Sequence, residues 1–432
     1  MAGKAPNVVI IAGEASGDLQ GACLANELRQ LHPGIVIRGI GGRHMREADV
    51  DILYDSSSWG AIGIAEALKL VPSLLRILGK LRRLLEANPP DVLVLIDFGA
   101  FNVRLANALR SSGIKVLYYF PPRSWSRGAT YSRLDGLVDR VVTPFPWSAD
   151  ILKGRGFQAD FFGHPLLDIV KPSLSREAFC EQFGFDGERP IIGLLPGSRT
   201  HEIRYNMPVL LLAAARLAES IPGLQFGVPL ASTLDAASIE AELSSIPWVE
   251  VRSYCRRNAV GVQRFALRRQ TDTLSRQEGI TPTSKAGISL IPGMAYDVLA
   301  HSRAAVVVSG TATVEAAILN CPMVIIYRGS RLVTLEFKLR RKNIKFVGMP
   351  NIILDRPACP EFIAEDASPV GVSDSMKVLI EDSPERARML EDLAEIRSSL
   401  GEPGAVRKTA EAVMELLKSR KDSNVQSKAK KE

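Results

Sequence analysis

Apolar runs of strand length recur along this 432-residue chain, each followed by a turn and then by a stretch of helical periodicity. That alternation leaves few architectures open, because parallel strands joined by helical crossovers must form a sheet buried on both faces. Val8 to Ala12 reads as the first strand, followed by a glycine-bearing turn and a helix from about Leu19 to Leu31. Val36 to Ile40, Val92 to Ile96, Val116 to Tyr119 and Arg140 to Val142 continue the series and predict one doubly wound domain. After a break at Gly163-His164-Pro165 and a linker containing Pro172, the pattern restarts at Pro190 to Pro196. Its further strands are Leu224 to Val228, Ala304 to Val308 and Met323 to Tyr327. The expected fold class is therefore α/β, with two Rossmann-like doubly wound domains and an interdomain cleft faced by the strand C-termini. The length agrees, since it exceeds what one hydrophobic core usually supports. The domains are placed at residues 7–168 and 186–355, followed by a helical region over 356–418 and a basic, disordered tail over 419–432. Residues 256–286, rich in Arg, Gln, Thr and Ser without periodicity, read as a long, partly disordered surface loop.

Composition narrows the function classes. Lys and Arg number 54 against 47 Asp and Glu, a net charge of +7 that suits an anionic partner, although much of the excess sits between Lys418 and Lys431. Cys23, Cys180, Cys255, Cys321 and Cys359 are scattered without a C-x-x-C pair, which argues against a zinc site or disulfide framework and fits a reducing cytoplasm. The histidines have no metal-ligand spacing, so no metal is expected. The apolar start, Val8 to Ala12, is too short for a signal segment, and no run approaches the ~20 residues of a spanning helix. A soluble or peripheral protein is expected.

Four turns can carry chemistry. Gly13-Glu14-Ala15-Ser16-Gly17-Asp18 lies between a strand and a helix, where backbone N–H groups meet polar ligand groups; Glu14 and Asp18 suit sugar hydroxyls, and a purely structural turn is the alternative. The spacing of Gly13, Gly17 and Gly21 is not a dinucleotide fingerprint, so no nicotinamide cofactor is expected. Asp97 ends an apolar strand, as a general base at a crevice or as a helix cap. Arg199, in Pro196-Gly197-Ser198-Arg199, can neutralise a diphosphate or pair with Glu202. Ser309-Gly310-Thr311 suits a phosphate at a helix start, with Glu315 one turn in to accept ribose hydroxyls; a capping box is the alternative. His164 reads as structural more readily than as a site residue. A helix from about Ile64 to Leu85, kinked or divided at Pro72, has an apolar stripe among Lys69, Arg76, Lys80, Arg82 and Arg83 and can face an anionic membrane or the core.

In this order the segments resemble lipid-A-disaccharide synthase, a family of inverting, metal-independent glycosyltransferases of the two-domain GT-B type. The matching blocks, from about residue 7 to 355, are AGEASGD, Ile96-Asp97 with Phe101-Asn102, FFGHPLLD from Phe161, LLPGSRTHEI, YDVLAHS from Tyr296, VSGTATVEAAILNCPMVIIYR and Met349-Pro350-Asn351-Ile352. The resemblance implies transfer of 2,3-diacylglucosamine from its UDP derivative to 2,3-diacylglucosamine 1-phosphate, with Asp97 at the general-base position. It implies that Arg199, Ser309, Gly310, Thr311, Glu315 and Asn351 hold UDP, that Gly13, Glu14, Ser16, Gly17 and Asp18 serve the acceptor side, and that neither cofactor nor nucleic acid takes part. It places the basic helix against the anionic inner face of the bacterial cytoplasmic membrane. The chain departs from the family at three places: the second acid of D-A-P-D-F-N is missing from Asp97 to Asn102, S-P-x-V-W-A-W is replaced from Phe120 to Ser126, and residues 256–286 are an insertion. Two other readings compete: a UDP-sugar transferase or epimerase with another acceptor, and a non-catalytic protein binding nucleotide or membrane surface.

Overall fold

A computed structural model describes residues 5–57, 59, 64–231, 249–253, 263–267, 287–330, 334 and 345–429. The chain divides into two compact units, Met1–Ile169 with Leu400–Glu432, and Val170–Ser399.

In the first unit seven parallel strands run β1 (Asn7–Ala12), β2 (Val36–Gly41), β3 (Asp51–Asp55), β4 (Val92–Ile96), β5 (Lys115–Tyr119), β6 (Arg140–Val142) and β7 (Ala159–Asp160). Their order across the sheet is β3-β2-β1-β4-β5-β6-β7. Successive residues serve opposite faces, as the two-residue period of a strand requires. Val8, Ile10, Ala12, Val94 and Ile96 join one core, and Val9, Ile11, Leu93 and Leu95 the other. The chain leaves β1 towards β3 and returns at β4, so strand order reverses between β1 and β4 and opens a crevice at their C-terminal ends. Ala12 pairs with Ile96 there, which sets the Gly13 turn beside Asp97.

In the second unit the strands are β8 (Ile191–Leu195), β9 (Gln225–Leu230), β10 (Val249–Ser253), β11 (Gln263–Leu267), β12 (Gly287–Pro292), β13 (Ala304–Val308), β14 (Met323–Tyr327) and β15 (Glu361–Ile363). Their order is β10-β11-β12-β9-β8-β13-β14-β15. The reversal falls between β8 and β13, where Leu195 pairs with Val307, so the Gly197 and Gly310 turns adjoin. Both units are thus Rossmann-like, and the fold is of the GT-B type.

Three expectations need correction. Within 256–286, Gln263–Leu267 is a strand, paired antiparallel to β10 and β12; the rest of that segment lies outside the described residues. The helical region expected over 356–418 is helical for the most part but is divided between the two units. Helices Pro369–Ile380 and Pro384–Ser399 belong to the second unit, whereas Ala405–Ala429 belongs to the first. That last helix continues through residues 419–429, where a disordered tail was expected, because Val406, Ala410, Val413, Leu416 and Leu417 anchor its first turns in the core of Val8 and Ile10. The FFGHPLLD block is its socket. Gly163, at φ 108°, leaves no room for a Cβ against the Glu402 carbonyl, and Asp168 accepts the N–H groups of Gly404 (2.5 Å) and Val406 (3.1 Å). The Ile64–Ala87 helix runs through Pro72 without ending there.

Candidate active site

Gly13 and Asp97 are joined through one ring. An added Cβ at Gly13 would overlap the Phe98 side chain, so only glycine lets Phe98 lie on the turn. Phe98 also stacks on Phe101 at 5.3 Å, with Trp59 at 5.7 Å from Phe98. Asp97 is half-buried and is not the cap of the following helix, Gly99–Ala108, whose cap position is Phe98. Asp97 and Phe98 are both left-handed, at φ 44° and 45°. Non-glycine residues held there cost on the order of 1–3 kcal/mol each, a strain that collects at functional sites.

The two altered segments expected from the resemblance, Asp97 to Asn102 and Phe120 to Ser126, meet each other. A Cβ on Gly99 would lie 2.6 Å from Pro122 Cγ, so the glycine after Phe98 makes room for the proline of the altered Phe120 to Ser126 loop. The position of the missing acid is taken by Ala100, which is exposed.

The Gly13 turn does not act as one group. Glu14 takes the cap position of helix Ala15–Leu31 and is half-buried, and Ser16 is exposed at its start. Gly17 is buried, and a Cβ added there would make ordinary contact with Ala12 and Ile96. Asp18 faces inward. Its carboxylate accepts the N–H groups of Gly42 (2.6 Å), His44 (2.9 Å) and Met45 (3.1 Å), and lies 3.1 Å from His44 Nδ1. Burial would push its pKa up, but the His44 ring and the three N–H groups outweigh it and bring it down. Asp18 therefore ties the first helix to the short helix Arg43–Glu47, and the expectation of sugar contact is corrected for this residue. His164 is also structural. It is buried between Phe120 and Phe145, accepts Leu166 N–H at Nδ1 (3.2 Å), and burial drives its pKa down to about 3, so it stays neutral.

In the second unit Arg199 caps the helix Thr200–Ser220, with its guanidinium 3.6 Å from Glu202. Glu202 turns back on the Gly197 turn and accepts the N–H groups of Ser198 (2.9 Å) and Arg199 (3.3 Å). The pairing alternative for Arg199 is therefore realised, on a side chain still 37% exposed at the mouth of the turn. Beside it Ser309 and Gly310 lead into helix Thr311–Ile318. Open space stands where a Gly310 Cβ would be, and Thr311 is exposed. Glu315 is half-buried by area, yet its carboxyl sits deep enough that burial pushes its pKa up to about 7. No described group donates a hydrogen bond to that carboxyl. Buried polar groups are normally paired, so Glu315 has the character of a group that awaits a donor.

Asn351 differs from the expectation. It is buried, its Nδ2 donates to Cys359 O (2.8 Å) and Glu361 Oε1 (2.7 Å), and its Oδ1 accepts from Ala358 N (2.7 Å) and Cys359 N (2.8 Å). With four bonds its amide is saturated, and direct contact with UDP is corrected to a bracing role. The brace reaches the Ser309 turn through Glu361, which sequence reasoning missed. Glu361 accepts Gly348 N–H (2.7 Å) and Val347 N–H (3.0 Å), and Val347 O accepts the Ser309 hydroxyl (3.0 Å). Asn206 was missed too: fully buried, it accepts Arg328 N–H (2.8 Å) and donates to Glu202 O (2.7 Å), joining the Arg199 helix to the end of β14. Neither residue carries a motif signal: Glu361 reaches Val347 and Gly348 on a separate segment, and Asn206 reaches Arg328, 122 residues away.

Among the described residues no helix is long and apolar enough to cross a membrane. On the Ile64–Ala87 helix Leu81 and Leu85 are buried, while Val71 and Leu75 stand 40% and 49% exposed.

The family model described as lipid-A-disaccharide synthetase matches residues 8–269 and 281–416. The match leaves out residues 270–280, which lie within the insertion expected over 256–286. The lipid-A-disaccharide synthase of Geobacter metallireducens is 35% identical over 418 residues, covering 96% of this chain and 99% of its own. That of Koribacter versatilis is 36% identical over 397 residues, covering 91% and 93%. Among solved structures, the UDP-GlcNAc 2-epimerase of Neisseria meningitidis bound to UDP-GlcNAc superposes with a TM-score of 0.60 at 14% identity, covering 95% of this chain and all of that one. That likeness is one of fold.

Proposed function

The chain belongs to the lipid-A-disaccharide synthetase family of glycosyltransferases, and on that premise we propose that it transfers 2,3-diacylglucosamine from its UDP derivative to 2,3-diacylglucosamine 1-phosphate. The reading is carried by one observation: in each unit the motif turns lie at the reversal of strand order, where an open α/β sheet binds ligands. The second unit takes the donor. Arg199 neutralises the diphosphate, the Ser309-Gly310-Thr311 turn offers N–H and hydroxyl groups at a helix start, and Glu315 accepts the ribose hydroxyls. Asn351 supports this set through Glu361. The first unit takes the acceptor, with Gly13, Glu14, Ser16 and Gly17 lining the turn and Asp18 holding it in place.

Asp97 removes the proton from the acceptor 6-hydroxyl as that oxygen bonds to the anomeric carbon, from the side opposite the diphosphate. The bond from the anomeric carbon to the diphosphate oxygen breaks, and UDP leaves with the electron pair. The product is the β-1,6-linked disaccharide 1-phosphate. Diacylated substrates call for a lipid surface, and the Ile64–Ala87 helix, with exposed Val71 and Leu75 beside Arg76 and Lys80, suits peripheral contact with the anionic inner face of the cytoplasmic membrane.

The test is UDP release from UDP-2,3-diacylglucosamine with and without the monosaccharide phosphate. We expect acceptor-dependent release that falls by about 10²–10⁴-fold in Asp97→Asn, the usual span for a positioned base. Release that ignores the acceptor, or turnover of UDP-N-acetylglucosamine at the same rate, would sink the proposal.

A further inference from the structure

The turn after β4 is left-handed at two consecutive residues that are not glycine, Asp97 and Phe98. Such a turn persists only where its surroundings over-determine it. Here the grip is on the two peptide groups that flank Asp97. The Asp97 carbonyl oxygen accepts from Asn102 Nδ2 at 2.9 Å and from the Tyr118 hydroxyl at 2.8 Å, and Asp97 N–H donates to Tyr119 O at 3.0 Å. Asn102 donates again to Ile96 O at 3.1 Å, so it spans the last strand residue and the turn. Asn102 and Tyr118 are both fully buried, one on the helix after the turn and the other on β5. Burial, with the Asp97 charge adding to it, pushes the Tyr118 phenol well above its ordinary range, so the hydroxyl stays a donor. From above, the Phe98 ring occupies the space over Gly13.

We propose that Asn102 and Tyr118 are positioning residues for the transfer reaction: by holding the Asp97 carbonyl they keep the Asp97-Phe98 turn left-handed and fix the carboxylate against the acceptor hydroxyl. This rests on the reading of Asp97 as the base. Buried as they are, the two side chains touch no substrate and act through Asp97 alone. A rate that depends on near-attack geometry is sensitive to displacements of about 1 Å.

Tyr118→Phe removes one hydroxyl and leaves the ring packing intact, and Asn102→Leu removes both donors from a site of similar volume. In the full-length protein either variant, folded by circular dichroism, is expected to lower kcat for acceptor-dependent UDP release on the order of 10- to 100-fold. The donor KM and the Kd for UDP should stay within about twofold, because both belong to the second unit. Tyr118→Phe placed in the Asp97→Asn background should cause no further loss. A folded Tyr118→Phe with kcat within about twofold of the parent overturns the proposal, as does an additional drop in the Asp97→Asn background. Full acceptor-dependent turnover in Asp97→Asn alone would instead overturn the reading of Asp97 on which the proposal stands.

Discussion

At the scale of single residues, the same side chain type plays opposite parts according to what surrounds it. Asp18 and Glu315 both sit near the start of a helix that follows a strand, yet three N–H groups and a histidine hold the first, while nothing described holds the second. Their pKa directions follow, lowered for Asp18 and raised to about 7 for Glu315. The Glu315 value lies above its ordinary 4.5, so the folded state takes up a proton. Its contribution to stability is complete below about 4.5 and is lost as pH rises through about 7. Without ligand, the thermal midpoint should therefore fall between pH 5 and 8 more steeply in the parent than in Glu315→Gln; equal slopes would refute this. Glu315→Ala should weaken UDP binding by about 1.5–3 kcal/mol at pH 8 by calorimetry, the worth of hydrogen bonds to a charged acceptor. The sequence shows that Asp18, Glu315 and Asn351 are present in suitable turns. It does not show which carboxylate or amide is already satisfied, because the partners of Asp18 lie on and beside another helix and those of Asn351 lie past the end of its own.

At the scale of elements, strands buried on both faces were legible because such strands are continuous apolar runs. β1, β4, β8, β13 and β14 stand within a residue of where the runs end. Strands that lie at sheet edges were not, since Asp51–Asp55, Val249–Ser253 and Glu361–Ile363 carry charge or mixed polarity and owe their form to pairing with a neighbour. The start of the last helix shows the same dependence. No cap precedes Ala405 in sequence, and Asp168, more than two hundred residues earlier, supplies one. Asp168→Ala should cost about 1–2 kcal/mol, the range of a lost helix cap, seen as a lower urea midpoint with activity per folded molecule unchanged. A midpoint equal to that of the parent would show that the cap is not needed.

At the scale of the whole molecule, the first unit is completed by the end of the chain. Val406, Val413, Leu416 and Leu417 cover the face that Val8 and Ile10 present, and four such side chains bury about 6–12 kcal/mol of hydrophobic free energy, comparable with the 5–15 kcal/mol by which domains are usually stable. Ion pairs from Arg407 to Glu27 (3.2 Å) and from Arg140 to Glu415 (2.5 Å) fix its register. A chain ending at Ser399 should lose hydrogen-exchange protection across β1, β4 and β5 and retain UDP binding by the second unit; protection kept in those strands would contradict this. By itself the sequence determined that there are two doubly wound sheets, which turns end their strands, and that Asp97, Arg199 and Ser309 to Glu315 stand at those turns, because strand and helix periods are local properties. Only the tertiary structure decided that Asp97 is held left-handed by Asn102 and Tyr118, that Asp18 and Asn351 are occupied while Glu315 is not, and that the C-terminal helix belongs to the first unit. Those outcomes depend on which distant groups complete one another's burial and hydrogen bonds, and that information is spread over the chain rather than written at any one place in it.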